Sequence, residues 1–302
     1  MIRTTWRTTV KINKTILATA VALTLSSAAQ AVVIDLFDTA QGSFDLDGVG
    51  ASTATSVNGA DILGGNRDFY AEIMADTDPN GGSEVGINNG ELFIRNAPSV
   101  ATRVQIQWDG VNTNAAFENP GVNLPPATWP DAANLAVGGL TFGLSEDWSD
   151  QDFIEVTTIF SDFGFDFQFT LFTSATEWTT VNLLANSHPG PGSVNTQIAL
   201  SAFTNPGLCG LGPIVTPDGT VNFISCGSGG IVDISNITAV VLDIDTDFAI
   251  TDDSVADAGG YQLALDLRVD QLETTVPVPA PIALLGMGLL AGGYFSRRKP
   301  KG

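Results

Sequence analysis

Between residues 15 and 296 the sequence has no lysine and only four arginines, Arg67, Arg95, Arg103 and Arg268. The other eight of its 12 basic residues sit at the two ends: Arg3, Arg7, Lys11 and Lys14, then Arg297, Arg298, Lys299 and Lys301. Neither end segment contains an acidic residue, so four arginines stand against 33 Asp and Glu and the body carries −29. A surface of that sign repels phosphate backbones and excludes a nucleic-acid partner. It suits divalent cations, and equally a saline medium in which self-repulsion is screened. Histidine is nearly missing too. His188 is the only one, in the turn His188-Pro-Gly-Pro-Gly192, and no G-x-S-x-G element accompanies it, which leaves no serine-type triad. Gly227-Ser-Gly-Gly230 lacks the lysine and helix that a phosphate-cradling loop requires. Cysteine is limited to Cys209 and Cys226, too few for a zinc site with a single histidine. Outside the two ends no long stretch keeps a 3.6-residue apolar period, so helical crossovers are not expected.

The ends have a logic of their own. A basic stretch closing at Lys14 is followed by an apolar run over 16–25 and then Ala29-Gln30-Ala31, an A-x-A site that places cleavage before Val32. About ten apolar residues are too few to span a bilayer core of ~30 Å. This is a secretory signal peptide, and it implies the Sec export machinery and signal peptidase as partners. At the other end Val276-Pro-Val-Pro-Ala-Pro281 leads into an apolar run over 282–295, Ser296 and the basic tail. Gly286, Gly288, Gly292 and Gly293 suit close helix packing, and Arg297, Arg298 and Lys299 would hold the extreme end in the cytoplasm. A tripeptide with prolines, a short membrane segment and an Arg-rich end closely resemble the PEP-CTERM sorting signal of Gram-negative bacteria. Pro277-Val278-Pro279 stands here where that signal usually has Pro-Glu-Pro. The resemblance implies an exosortase-type processing enzyme and delivery to the cell surface or its polysaccharide matrix. The alternative is an ordinary single-span inner-membrane anchor, and both readings put the body outside. The expected organisation is a signal helix over 1–31, a body over 32–275 and a hydrophobic helical sorting segment over 276–302. In an exported body Cys209 and Cys226 are expected to pair as a disulfide.

Strand signals fill the body. Phe163-Gly-Phe165-Asp-Phe167-Gln-Phe169-Thr-Leu171 alternates at period two, and so do Leu263-Ala-Leu265-Asp-Leu267-Arg-Val269 and Val240-Val-Leu242-Asp-Ile244-Asp. Further strands are expected over 69–75, 91–96, 103–108, 140–144, 154–160, 177–184 and 221–225. Turns are marked by Asn80-Gly-Gly, Asn88-Asn-Gly90 and Asn119-Pro-Gly121. Residues 112–133 carry four prolines and read as a long loop. Many short strands without helical crossovers argue for an all-β, antiparallel sandwich. Short motifs add a second resemblance: Ile62-Leu-Gly-Gly65-Asn-Arg67-Asp68, Gln107-Trp108-Asp109-Gly110, Ile234-Ser-Asn236-Ile237, and Leu265-Asp-Leu267 running to Glu273-Thr274. Together they are similar to galactose-binding-like jelly rolls, as found in carbohydrate-binding modules. That resemblance implies a jelly-roll-like fold and an association with surface polysaccharide.

Candidate chemistry is sparse. Asp76-Thr-Asp78-Pro-Asn80-Gly81 offers oxygen ligands at alternating positions before a glycine turn, the way a tight loop wraps Ca²⁺. The EF-hand pattern fails because Ile87 stands where a bidentate Glu belongs, and a solvated Asx-rich turn explains the same residues. Asp243, Asp245 and Asp247, followed by Asp252, Asp253 and Asp257, form a second acidic cluster for which plain exposure is the favoured reading over a bound cation. Glu155 and Glu177 sit on strand-like segments, but nothing marks them as a glycosidase pair. Among the tryptophans, Trp129 and Trp148 are the candidates for stacking on a sugar ring, although ordinary packing beneath a loop is the favoured reading for both, whereas Trp108 and Trp178 fall in strands and belong to the core. The sequence therefore reads as a non-catalytic exported surface or matrix protein. A carbohydrate-binding module is the alternative, and a secreted glycan-cleaving enzyme comes third.

Overall fold

The alternating segments of the body fold as strands that pair edge to edge in two sheets. The computed structural model describes residues 30–76, 81–110, 140, 142–212, 214–216, 219–245 and 265–276. The signal segment up to Ala29, the loop over 112–133, Asp78, Asn80, Trp129 and the sorting residues from Pro277 to Lys299 lie outside these. The smaller sheet contains β1 (Val33–Asp35), β2 (Gln41–Asp47), β5 (Gly82–Asn88), β6 (Glu91–Asn96), β8 (Phe153–Ser161), β11 (Val194–Ala199) and β15 (Asp266–Thr275). Its order is β11-β8-β15-β6-β5-β2, with β1 paired to β15. The larger sheet contains β3 (Ser52–Asn58), β4 (Asn66–Asp76), β7 (Val100–Trp108), β9 (Phe165–Phe172), β10 (Trp178–Ala185), β12 (Ile214–Thr216), β13 (Gly219–Cys226) and β14 (Ala239–Asp245). Its order is β12-β13-β10-β9-β14-β7-β4-β3. Every pair of these strands is antiparallel. The architecture is an all-β antiparallel sandwich.

Period-two alternation decides which residues meet between the sheets. Phe165, Phe167, Phe169 and Leu171 of β9, Val104, Ile106 and Trp108 of β7, and Leu242 and Ile244 of β14 enter one apolar core. From the smaller sheet it receives Ile34, Val85, Ile87, Leu92, Ile94, Leu267 and Leu272. Each such side chain contributes about 1.5–3 kcal/mol on burial. Asn89 and Gly90, both at positive φ (55° and 78°), make the two-residue turn between β5 and β6 that their residue types favour. Elsewhere, Gly64 and Gly110 let two of the short motifs touch. A Cβ on Gly64 would lie 2.9 Å from the Gly110 Cα, and both residues have positive φ.

Cys209 and Cys226 form the expected disulfide, with Cα atoms 5.7 Å apart and a separation of 17 residues. It ties the 3-10 turn Pro206–Leu208 to the end of β13. The described residues of the 140–144 segment do not form the expected strand. Gly143 N–H donates to the Asp109 carbonyl at 2.9 Å and Leu144 N–H to that of Thr238 at 3.0 Å, so the described part of this segment bonds two different elements and lacks a ladder. Among the described residues the only α-helix is α1 (Ser201–Thr204), and no helix is long and apolar enough to cross a membrane.

Candidate functional site

Two arrangements of polar side chains stand out, one between the sheets and one on the outer face of the larger sheet. The first joins the sheets. Arg67 of β4 points inward with Phe69 and Ala71, and its Nη1 donates to both carboxylate oxygens of Asp35 at 2.7 and 2.9 Å. Its Nε donates to Gln41 Oε1 at 2.8 Å and its Nη2 to the Thr39 carbonyl. Asp35 also accepts from the Trp108 indole at 2.9 Å and the Phe37 amide at 2.8 Å. Both partners of the ion pair are 0 % exposed. Burial pushes the Asp35 carboxyl above the usual carboxylate range, against the pull of Arg67 and then of the Trp108 indole. With no opening to solvent at the pair, this network positions strands and does not bind ligands. It explains two of the short sequence motifs, since Arg67 and Trp108 converge on one carboxylate.

The second arrangement comes from the residues that alternate with the core. In β7 the inward Val104 and Ile106 leave Arg103, Gln105 and Gln107 on the opposite face. Registers align Tyr70 with Gln105, Gln105 with Asp243, Asp243 with Gln168, and Gln168 with Asn182. One row of hydrogen-bonding side chains therefore crosses β4, β7, β14, β9 and β10. Asp243 anchors it. Its carboxylate accepts from Arg103 Nε and Nη2 at 3.0 and 2.7 Å and from Gln105 Nε2 at 3.1 Å. Tyr70 Oη donates to Glu72 Oε2 at 2.6 Å. Burial first, and then this contact, hold the phenol well above its ordinary range. Thr170 and Thr180 share a hydrogen bond of 2.8 Å one step along. Gln168, Asn182 and Asp243 are buried, while Glu72 and Gln105 are half-buried and Ser52 and Ala54 on the edge strand β3 are exposed, so the row is most open at its β3 end.

The same face turns apolar beyond Thr170. Phe172, Trp178, Ala239 and Val241 cluster there with Leu140, and Phe142 packs 6.0 Å from the Phe172 ring. At the β4–β7 end, burial lifts the Asp68 carboxyl to about 6; a hydrogen bond from Ser56 opposes the rise and the charge of Asp109 adds to it.

Several sequence expectations change. Trp148 is 0 % exposed, and its amide donates to the Ile234 carbonyl at 2.8 Å, so its ring joins the main core instead of the surface beside Asp147 and Asp150. It is not a sugar platform. Asp243 is not solvated either: it is 1 % exposed, and Arg103 relieves the repulsion that had invited a cation. Trp108 and Trp178 are buried as expected, Trp108 in the main core and Trp178 in the outer cluster. Glu155 lies on the smaller sheet, accepting from Asn195 and Gln197 at 2.6 and 2.7 Å, whereas exposed Glu177 precedes a strand of the larger one. The two carboxylates belong to different sheets. His188 Nε2 lies 3.4 Å from the Gly192 carbonyl, within its own loop. Of the expected calcium ligands only Asp76 is described, at the end of β4. Among the described residues, no group of three or more His, Cys, Asp or Glu could hold a metal.

Sequence reasoning missed Tyr70, Gln105, Gln168 and Asn182. Their signal was the polar member of each alternating strand, which means nothing until strand order places five such members side by side. No family model matches the chain, and no curated protein matches it in sequence. Among solved structures it is similar to the family 11 carbohydrate-binding module of the cellulosomal cellulase Lic26A-Cel5E of Clostridium thermocellum, at 11% identity and TM-score 0.33, over 83% of this chain and 97% of that one. It is also similar to the family 11 module from Clostridium thermocellum in complex with a β-1,3-1,4-mixed-linked tetrasaccharide, at 11% identity and TM-score 0.32, over 83% and 98%. Scores this low place no constraint on the fold or ligand of this chain.

Proposed function

We propose that the chain is an exported, non-catalytic surface module that contacts polysaccharide through the outer face of its larger sheet, at the corner formed by Tyr70, Glu72 and Gln105. The observation that carries this reading is the five-strand row itself. At its open corner the row offers the Tyr70 phenol, the Gln105 amide and the half-buried Glu72 carboxylate on neighbouring strands, at a strand spacing of roughly 4.8 Å, while its buried members hold that corner in place. Such an array can donate to and accept from successive hydroxyls of a sugar chain, and the polar groups converge as specific ligand sites require. The non-catalytic part is supported by the placement of Glu155 on the smaller sheet and of Glu177 just ahead of a strand of the larger one, and by the contact of the His188 ring with the Gly192 carbonyl of its own loop.

Export is supported by the A-x-A site ahead of Val32 and by the Cys209–Cys226 bridge, which belongs to an oxidising compartment. Sorting through Pro277-Val278-Pro279 and the basic end by an exosortase-type enzyme completes the reading, with the cell surface or matrix as destination. The test is a glycan array probed with the protein released from cells, alongside Gln105→Ala and Tyr70→Phe. Binding to a polysaccharide class that either variant weakens at least tenfold is expected. Silence on the array, or variants that bind as well as the parent, would remove the proposed face. Mass spectrometry of the surface fraction tests the address independently. A chain beginning at Val32 and lacking the tail is expected, and a full-length cytosolic chain would refute it.

A further inference from the structure

At the β4–β7 corner of the same face, three buried side-chain oxygens have no hydrogen-bond partner: Asn66 Oδ1, Asp68 Oδ2 and Gln107 Oε1. Their residues are 2 %, 1 % and 7 % exposed, so bulk water does not serve these atoms. Orphans of this kind are rare in native structures, and each needs a physical explanation, a bound water or ion among them.

Their orientation can be read from the partners they do have. Asn66 Nδ2 donates toward β3, to Ser56 Oγ at 3.1 Å, the Val57 carbonyl at 3.1 Å and Asn58 Oδ1 at 3.3 Å. Its Oδ1 is therefore turned away from β3, toward β7. Ser56 is also the side-chain partner of Asp68, which leaves Oδ2 as the oxygen facing away from β3. Asp68 is paired across the ladder with Gln107 of β7. Gln107 spends its Nε2 on Gln105 at 3.5 Å, and its Oε1 is left over. Asp109, two residues on and 0 % exposed, is near enough for its charge to act on Asp68. Its backbone is fixed by the bond that its carbonyl accepts from Gly143.

We infer that Asn66, Asp68, Gln107 and Asp109 form a calcium site on the outer face of the larger sheet. Carboxylate and amide oxygens are the ligands that Ca²⁺ takes, six to eight in number, in geometry loose enough for side chains on a twisted sheet. Mg²⁺ demands a near-ideal octahedron and gives up its waters reluctantly, so it fits such a corner less well. A water molecule has two hydrogens to offer and three orphaned acceptors to serve, and it leaves the Asp68–Asp109 repulsion in place. A divalent cation answers all of these at once. This site uses none of the residues of the Asp76–Asn80 sequence cluster and does not depend on glycan binding.

The test is calorimetric titration of CaCl₂ into the full-length chain in detergent, after stripping with EDTA and desalting. The same titration is run on a chain carrying Asp76→Asn and Asp78→Asn, which takes the loop out of the measurement. In both backgrounds binding with Kd on the order of 10⁻⁴ M is expected, the range of extracellular modules. Asp68→Asn should weaken it at least tenfold, and Gln107→Glu, which adds a third carboxylate, should tighten it. No heat in the loop-variant background, or Asp68→Asn titrating like its parent, overturns the site. Should Asp68→Asn fail to fold, Gln107→Glu decides, because a misfolded chain cannot bind more tightly; an unchanged or weaker Kd there refutes the proposal.

Discussion

Replacing Arg67 with methionine keeps an apolar stem in its place and removes the charged head, whose guanidinium carbon lies 5.7 Å from the centre of the Phe37 ring. The loss is large because of what remains. Asp35 keeps the Trp108 indole and the Phe37 amide but loses its countercharge at 0 % exposure, while Gln41 Oε1 and the Thr39 carbonyl lose their donor. Breaking a buried pair from one side costs about 3–5 kcal/mol. Against a total stability of roughly 5–15 kcal/mol, that is a large fraction of what holds the sandwich together. For a body of this length, each kcal/mol shifts the midpoint by about 2–4 °C, so Arg67→Met should lower Tm by roughly 6–20 °C. Two controls separate this cause from generic disruption. The double variant Asp35→Leu, Arg67→Met removes both charges and should recover most of the loss. The deficit of the single variant should also shrink toward acid pH. Burial already raises the Asp35 carboxyl, and without Arg67 it takes up a proton more readily, which favours the folded state as pH falls. The assay is urea and thermal unfolding at pH 7 and pH 5. A single variant within about 1 kcal/mol of the parent at pH 7, or a double variant no better than the single, would refute the reasoning.

Cys209→Ser with Cys226→Ser should cost about 3 kcal/mol, the chain-entropy value for a loop of 17 residues, and unfolding with and without reductant measures it. Two titratable thiols in the protein unfolded without reductant would mean that the bridge does not form. Asp68 has a folded-state pKa of about 6 against 3.8 for the free side chain, so its contribution is favourable in acid and is lost as pH rises from about 4 through about 6. In EDTA, Asp68→Asn should therefore gain stability relative to the parent at pH 7.5 but not at pH 4; parallel Tm profiles across that window would contradict the assignment. Added Ca²⁺ should reverse the order at pH 7.5.

How much the sequence disclosed depended on where a strand sits in its sheet. β9, β7, β14 and β10 were legible because both neighbours are strands and one face packs on the core, which enforces alternation over many residues. The strands that went unread include β2, β3, β11 and β12, and these are the four edges of the two sheets. An edge strand such as β3, Ser52-Thr-Ala-Thr-Ser-Val-Asn58, is largely wet and needs no apolar pattern. Trp148 was left between a sugar platform and packing beneath a loop for a related reason. Its neighbours Asp147 and Asp150 are exposed, and only contact with the 234–237 segment, far along the chain, decides that the ring between them is buried.

By itself the sequence determined the all-β class, the cysteine pair and the two-residue turn at Asn89-Gly90, because each rests on local periodicity, residue count or a backbone preference. It also set the charge asymmetry that motivates export. Tertiary structure alone decided the rest. Asp35 and Arg67 are 32 residues apart in the chain, Arg103 and Asp243 are 140 apart, and no local rule couples them. The polar row and the orphaned oxygens exist only because strand order lays β4, β7, β14, β9 and β10 side by side. A side chain's neighbours across a sheet are fixed by topology, which chain-local patterns do not encode.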